Sequence, residues 1–455
     1  MKFDLSFEWL DDMSSIRLDS HRATMARLLL ILGDRVLTRN LPLQSEEGED
    51  VIRDSVRVSL YPLAEFVAAN WWALLHEPSE KVGLVNGPVA FRQRHWINTH
   101  TDGFAYPAVG FFGADAIVKV LAKPTHIDAA NIQFPMPPGR LDYGWDGIER
   151  ARVEAALLHL LAAVVERLPH NEDRSWLDDA VNRIQTSRTD AEEALYCRCA
   201  GLLGADPYWP DSDLEQVIGG TVEILGRDIA MELFATTEQR DVLERASWID
   251  QEVRSVIRRS KGLASHALDL KASLTLPRHE SSGIKPWDKG YEAARCLREM
   301  LALSPDESLQ TLDAVTGSLL GRKASALGDI SGLEAKSGVS SMACRSSQGL
   351  GMVIDRNAGG NLQFQVAALF ADFLLAEQGD VFLSTKASTN RQKCNRAFAA
   401  EFLAPIAGIR ERLSPCGAGR TAIAQVASDF GVSAPIVQYQ LQNQAPDLWS
   451  ELSVS

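Results

Sequence analysis

The spacing of hydrophobic and polar positions changes along the chain, and the changes divide it into segments. Early on, "DSVRVSLYP" alternates apolar and polar residues, the two-residue period of a half-buried strand. "LAEFVAANWWALLHEP" then places Leu63, Phe66, Val67, Trp71, Leu74 and Leu75 at helical spacing, and Pro78 closes it. "DGFAYPAVGFF" and "DAIVKVLAKP" predict two more strands joined by a Gly-rich turn.

Past the proline-rich break "FPMPPGR" the period becomes helical. "DGIERARVEAALLHLLAAVVERL" carries a continuous apolar stripe, and "SWLDDAVNRIQ", "DAEEALYCRCAGLLG", "DLEQVIGGTVEILGRDIAMELF" and "QRDVLERASWIDQEVRSVIRR" extend the pattern. A linker, "LTLPRHESSGIKPWDKG", separates these from the helices "YEAARCLREML" and "DESLQTLDAVTGSLLG". Two short strands, "SMACRSS" and "GLGMVIDR", and a turn at "NAGGN" precede the apolar helix "LQFQVAALFADFLLAE". A second apolar helix holds "CNRAFAAEFLAP", and the tail ends in "TAIAQVASDFGVSAPIVQYQLQN". The pattern predicts an α+β, mostly helical, multi-domain chain: an α+β part over 1–136, a helical part over 140–268 and a last α+β part over 286–455. No internal repeat is evident.

Composition adds boundaries to that picture. The 455 residues suit two to four domains. A net charge of −14 argues against a nucleic-acid surface spread over the whole chain, though it allows a local basic patch. The beginning, "MKFDLSFEWLDDM", is acidic and broken by charges, unlike a signal peptide. "AALLHLLAAVV" is too short to span a bilayer. Six scattered cysteines read as reduced thiols, so a soluble, cytoplasmic protein without a membrane partner is expected.

Two residues interrupt otherwise apolar runs: Asp372 in "ALFADFLL", and Glu401 between Ala397 and Ala404 of "CNRAFAAEFLAP". A lone carboxylate on such a surface is costly to bury unless something pairs with it. The interval between them is long enough for a turn and a returning helix, which would bring both to one spot. The plainest expectation for Glu401 is a pairing with a nearby base such as Lys393 or Arg396.

"CNRAFAAEFLAP", with the lead-in "FQVA" and the tail "VASDFGVSAPIVQYQL", resembles the ImmA/IrrE family of zinc metallopeptidases over about 286–450. "SLYPLAEFVAANWW" and "HTDGFAYPAVGFF" resemble an N-terminal region that accompanies some such domains. The resemblance implies a zincin-type domain whose third zinc ligand falls on Glu401. It also places the family's His-Glu-x-x-His on "ALFAD", so the first His becomes Ala368, the Glu becomes Leu369 and the second His becomes Asp372. Such a site needs two imidazoles one helical turn apart on the metal and a carboxylate base on the bound water. Ala368 cannot ligate, Leu369 cannot accept a proton, and the last histidine of the chain is His279. No zinc and no other cofactor is therefore expected. The resemblance implies an inactive metallopeptidase-like protein that binds a partner protein or ligand in a stress or mobile-element regulatory pathway. The alternative is an active metallopeptidase with a non-standard site, in which Asp372 and Glu401 hold a hard cation and Cys344, Cys394 or Cys416 adds a thiolate.

A third reading uses the N-terminal part as a nucleic-acid or nucleotide sensor. Arg92, Arg94, His95 and His100 cluster near Trp71, Trp72, Trp96, Phe104, Tyr106, Phe111 and Phe112. These rings form either a stacking platform or the core of a sheet domain. The tail has the cadence of a helix-turn-helix but no Lys or Arg between Thr421 and Gln444, so it is not expected to contact DNA. Cys197 and Cys199 are too close for a zinc knuckle, and no phosphate-binding glycine loop or serine-nucleophile motif appears.

Overall fold

The computed structural model describes residues 2–10, 19–42, 52–79, 81, 88–127, 130–135, 147–209, 212–259, 263–276, 285–330, 339–357, 361–416 and 420–454. The chain is a mixed α+β protein, mostly helical, with several small sheets. It forms two compact units, Met1–Ile218 with Thr237–Gln239, and Gly219–Thr236 with Arg240–Ser455.

In the first unit, strand Met25–Leu32 pairs antiparallel with Phe3–Trp9 on one side and with Val56–Ser59 on the other. The strand Phe3–Trp9 lies in the stretch read as merely acidic. Its alternation Phe-Asp-Leu-Ser-Phe-Glu-Trp is a strand period in which the charges are the outward residues. The predicted hairpin forms as Ala108–Ala114 with Ile117–Lys123, turning at Asp115, whose φ is +64°. The helix expected over "LAEFVAANWWALLHEP" is two helices, Tyr61–Ala69 and Trp71–His76. They break at Asn70, whose side chain bonds back to the Phe66 carbonyl and competes with the helix ladder.

Helices Arg150–Arg167, Glu172–Thr189 and Ala191–Leu203, which the pattern placed in a separate helical part, belong to this unit. The apolar stripe Val153, Leu157, Leu160, Leu161 and Val164 shares one core with Leu28, Leu30, Phe66 and Trp71. A one-sided sheet needs such a cover. Of the seven aromatics singled out in the sequence, all but Phe104 are buried, so they serve as core.

In the second unit the predicted strand pair forms as Val339–Ser346 with Gly349–Ile354. Strand Val381–Thr385 joins the far edge of Val339–Ser346. Helix Leu362–Leu375 lies on this sheet, and helix Asn390–Leu403 packs against that helix. Helix Pro286–Met300 crosses Asn390–Leu403 closely at Gly290, where an added Cβ would lie 2.2 Å from the Cys394 carbonyl oxygen. The breaks at "FPMPPGR", "LTLPRHESSGIKPWDKG" and "NAGGN", and with them His279, fall wholly or partly outside the described residues. No helix among the described residues is long and apolar enough to cross a membrane.

Candidate functional site

The two carboxylates that interrupt the apolar runs are both buried, and each accepts hydrogen bonds from protein donors on both oxygens. Asp372 accepts a two-pronged contact from Arg391, Nε to Oδ1 at 2.5 Å and Nη2 to Oδ2 at 2.6 Å. Asn395 Nδ2 adds a bond to Oδ1 at 2.9 Å, and the Leu383 amide one to Oδ2 at 3.2 Å. Burial pulls the Arg391 guanidinium toward losing its proton, but the Asp372 carboxylate more than reverses this and holds it charged. Lys271 donates to the Phe373 and Ala376 carbonyls, closing the C-terminal end of the same helix.

Glu401 draws on different elements. Arg295 Nε reaches Oε1 at 2.9 Å, and Gln440 and Gln444 donate to Oε2 at 2.8 and 2.9 Å. The Ile406 amide adds a fourth donor at 3.3 Å. Neither Lys393 nor Arg396 is the partner: Arg396 donates to the Ala387 carbonyl. Position 396 points to another face of the helix from Glu401, and position 393 lies about two turns, roughly 12 Å, away along the axis.

The expectation that both carboxylates meet at one spot is not what the structure shows. Asn395, which holds Asp372, and Glu401 stand about 9 Å apart along their helix axis. No donor is shared between the two. Ala368 and Leu369 are buried in the core of this unit. Among the described residues, no group of three or more His, Cys, Asp or Glu is placed to hold a metal ion. Cys394 is buried, and burial pushes its thiol up to about 12, the wrong direction for a thiolate ligand. Cys344 is half-buried on the sheet, and the side chain of Cys416 lies outside the described set.

Compared with known proteins, the chain matches no family model, no curated protein and no solved structure.

Sequence reasoning missed a third buried carboxylate of the same unit, Glu232, on helix Arg227–Phe234. Thr389 Oγ1 donates to it at 2.6 Å and Thr385 Oγ1 at 3.3 Å. Among the described residues it has no ion-pair partner. Burial foremost raises its pKa to about 7; the Asp372 charge adds to the rise, while the threonine hydrogen bonds and Arg391 oppose it. The criterion that found Glu401, one charge inside an apolar run, also finds Glu232 in "IAMELF".

A pH dependence follows. Between the ordinary value of 4.5 and about 7 the folded state binds a proton at Glu232 that the unfolded chain releases. Unfolding free energy then falls as pH rises. The neutral carboxyl's contribution is complete below about 4.5, declines through the window and is lost above about 7. Glu232→Gln keeps an acceptor for the threonines and cannot ionise. It is expected to flatten this slope and to gain on the order of 3 kcal/mol relative to wild type between acid and mildly alkaline pH. Urea titrations of both proteins across that range measure it, and parallel profiles would refute it.

Of the N-terminal candidates, Arg94 and His95 converge on Glu77, whereas Arg92 and His100 do not. Arg94 grips the buried carboxylate of Glu77 with Nε at 3.0 Å and Nη2 at 2.9 Å. His95 places Nε2 2.9 Å from Glu77 Oε2 and Nδ1 2.6 Å from the Phe111 carbonyl oxygen, with its ring stacked on Phe112. Arg92 and His100 are exposed. Arg94 and His95 are therefore committed to a buried ion cluster, and only Arg92 and His100 face solvent.

Proposed function

We propose that the second unit is a metallopeptidase-like domain of the ImmA/IrrE type that binds a regulatory partner protein without cleaving it. One observation carries this reading. Both carboxylates that the resemblance assigns to the metal site are occupied by protein donors on both oxygens, Asp372 by Arg391, Asn395 and Leu383, and Glu401 by Arg295, Gln440, Gln444 and Ile406. A ligand to zinc must present a free lone pair to the ion. Asp372 accepts two hydrogen bonds on each oxygen, and Glu401 accepts three on Oε2 while its Oε1 is held by the Arg295 cation, so an ion would have to displace protein donors or sit against a guanidinium. The order strand pair, helix, strand, helix is in keeping with the resemblance. In this reading the one family metal ligand that is kept persists as a fastener: Glu401 ties its helix to Pro286–Met300 and to the tail helix Ala434–Gln444.

The test is metal content and hydrolysis. The purified chain, incubated with excess zinc and desalted, is expected to retain well under one equivalent, the same in wild type and Glu401→Gln, and to cleave no protein substrate. Stoichiometric zinc that disappears in Glu401→Gln, with proteolysis lost in parallel, would establish an active enzyme with a non-standard site instead.

A further inference from the structure

The first unit contains an open pocket of about 640 Å³, within the usual range of small-molecule sites. Three guanidinium groups line it, each from a different helix: Arg150, Arg188 and Arg198. One carboxylate, Glu154, is shared between the first two, at 3.2 Å from Arg150 and 2.8 Å from Arg188. Arg198 has no carboxylate partner among the described residues; its Nε donates to the Ala194 carbonyl of its own helix at 3.0 Å. The lining thus carries an excess of positive charge in a chain whose net charge is −14.

His76 also lines the pocket, against Trp72 and beside Arg150. Burial above all, and then the charges of Arg150 and Arg198, hold its pKa well below the ordinary 6.5, so the imidazole is neutral at physiological pH. It neither cancels nor adds to the charge of the site.

The arrangement is held by the fold. The hairpin turn accepts the Arg150 amide on the Ala116 carbonyl and the Arg150 guanidinium on the Asp115 carbonyl. Arg188 lies over the ring of Trp71, 5.8 Å from its centre, which keeps the guanidinium at the wall. Gly201 lets the helix that bears Arg198 close on helix Trp71–His76; a Cβ there would lie 2.5 Å from the Trp72 carbonyl oxygen.

We propose that this pocket binds a small phosphorylated molecule, with Arg150, Arg188 and Arg198 gripping its phosphoryl oxygens. Planar guanidinium forks match phosphate oxygens in two-pronged contacts, and three forks with one intervening carboxylate leave a charge deficit that a dianionic phosphate balances. A monocarboxylate leaves that deficit half filled. A concave site in an acidic chain suits a free small molecule better than a nucleic-acid backbone, which needs an extended basic track. Arg94 and Arg92, the cations singled out from the sequence, do not line it.

The experiment is calorimetric titration of the full chain at low salt with ADP and with pyrophosphate, and with succinate as a dicarboxylate control. Quenching of tryptophan fluorescence is the second readout, since Trp71 and Trp72 line the pocket. Both phosphate probes are expected to bind and succinate not. Arg198→Ala should weaken binding by about tenfold or more, because it removes a charge-assisted contact. Ala194→Glu should weaken it similarly, by placing a carboxylate one turn before Arg198 and neutralising it. Neither change touches the core, so the melting temperature serves as the control for folding. Absence of binding by either probe at millimolar concentration, equal binding of succinate, or affinity unmoved by both variants would each overturn the proposal. So would tight binding of a single-stranded oligonucleotide with none of ADP.

Discussion

Asp372→Ala is expected to destabilise the second unit by about 3–5 kcal/mol, the cost of removing one partner from a buried ion pair. The size follows from what remains. Arg391 keeps a full charge with most of its surface covered, its side chain 24% exposed. The Leu383 amide and the Asn395 side chain lose their acceptor at the same time, and an orphaned buried donor adds its own desolvation penalty. Asp372→Asn should fall between, since it keeps one acceptor oxygen but not the charge. The double variant Asp372→Ala/Arg391→Met is the informative control. Replacing both members of a buried pair by apolar groups is often close to neutral, so much of the loss should return. Chemical denaturation measures all three. If Asp372→Ala lowered stability by less than about 1 kcal/mol, the carboxylate would not be a fastener, and a ligand-facing role would have to be sought for it.

The helices bearing Asp372 and Glu401 were legible because each contains an apolar run interrupted by one acid. Their adjacency was legible from the interval between them. What the local pattern could not supply was the partner of each charge. Glu401 meets Arg295 and Gln440 from helices remote in sequence, and those residues look like ordinary solvated positions on amphipathic faces. Strand Val381–Thr385 escaped notice because five residues between two strong helices carry little periodic signal. The pocket arginines were hidden for the same reason as Arg295. Arg150, Arg188 and Arg198 sit in charged helical stretches, and only the packing of three helices around Trp71 brings them together. Conversely, Arg94 and His95 stood out in the sequence as a basic cluster, yet their role depends on Glu77, a lone acid before a proline with no motif around it.

Glu77→Gln is expected to cost the first unit a similar amount, about 3–5 kcal/mol near neutral pH. Burial alone would raise the pKa of this carboxyl. The hydrogen bonds from His95 and Arg94, and their charges, outweigh it and hold the carboxyl at about 2. Nearby Lys81, also buried, donates to the Leu202 carbonyl at 2.7 Å, and burial foremost lowers its pKa to about 8. Glu77 is therefore the anion that Arg94, His95 and Lys81 surround, and an amide at position 77 leaves the Arg94 and Lys81 charges facing one another. The sign with pH is opposite to that at Glu232. From the ordinary 4.5 down to about 2 the unfolded chain binds a proton that the folded one does not, so stability rises with pH through that window. The contribution is whole above about 4.5 and disappears as pH falls toward about 2. The gap between wild type and Glu77→Gln should accordingly be widest near neutrality and close on acidification. A gap that stayed constant from neutral pH down through that window would mean that Glu77 contributes shape rather than charge, and the ion cluster would not be what holds helix Trp71–His76 to the hairpin.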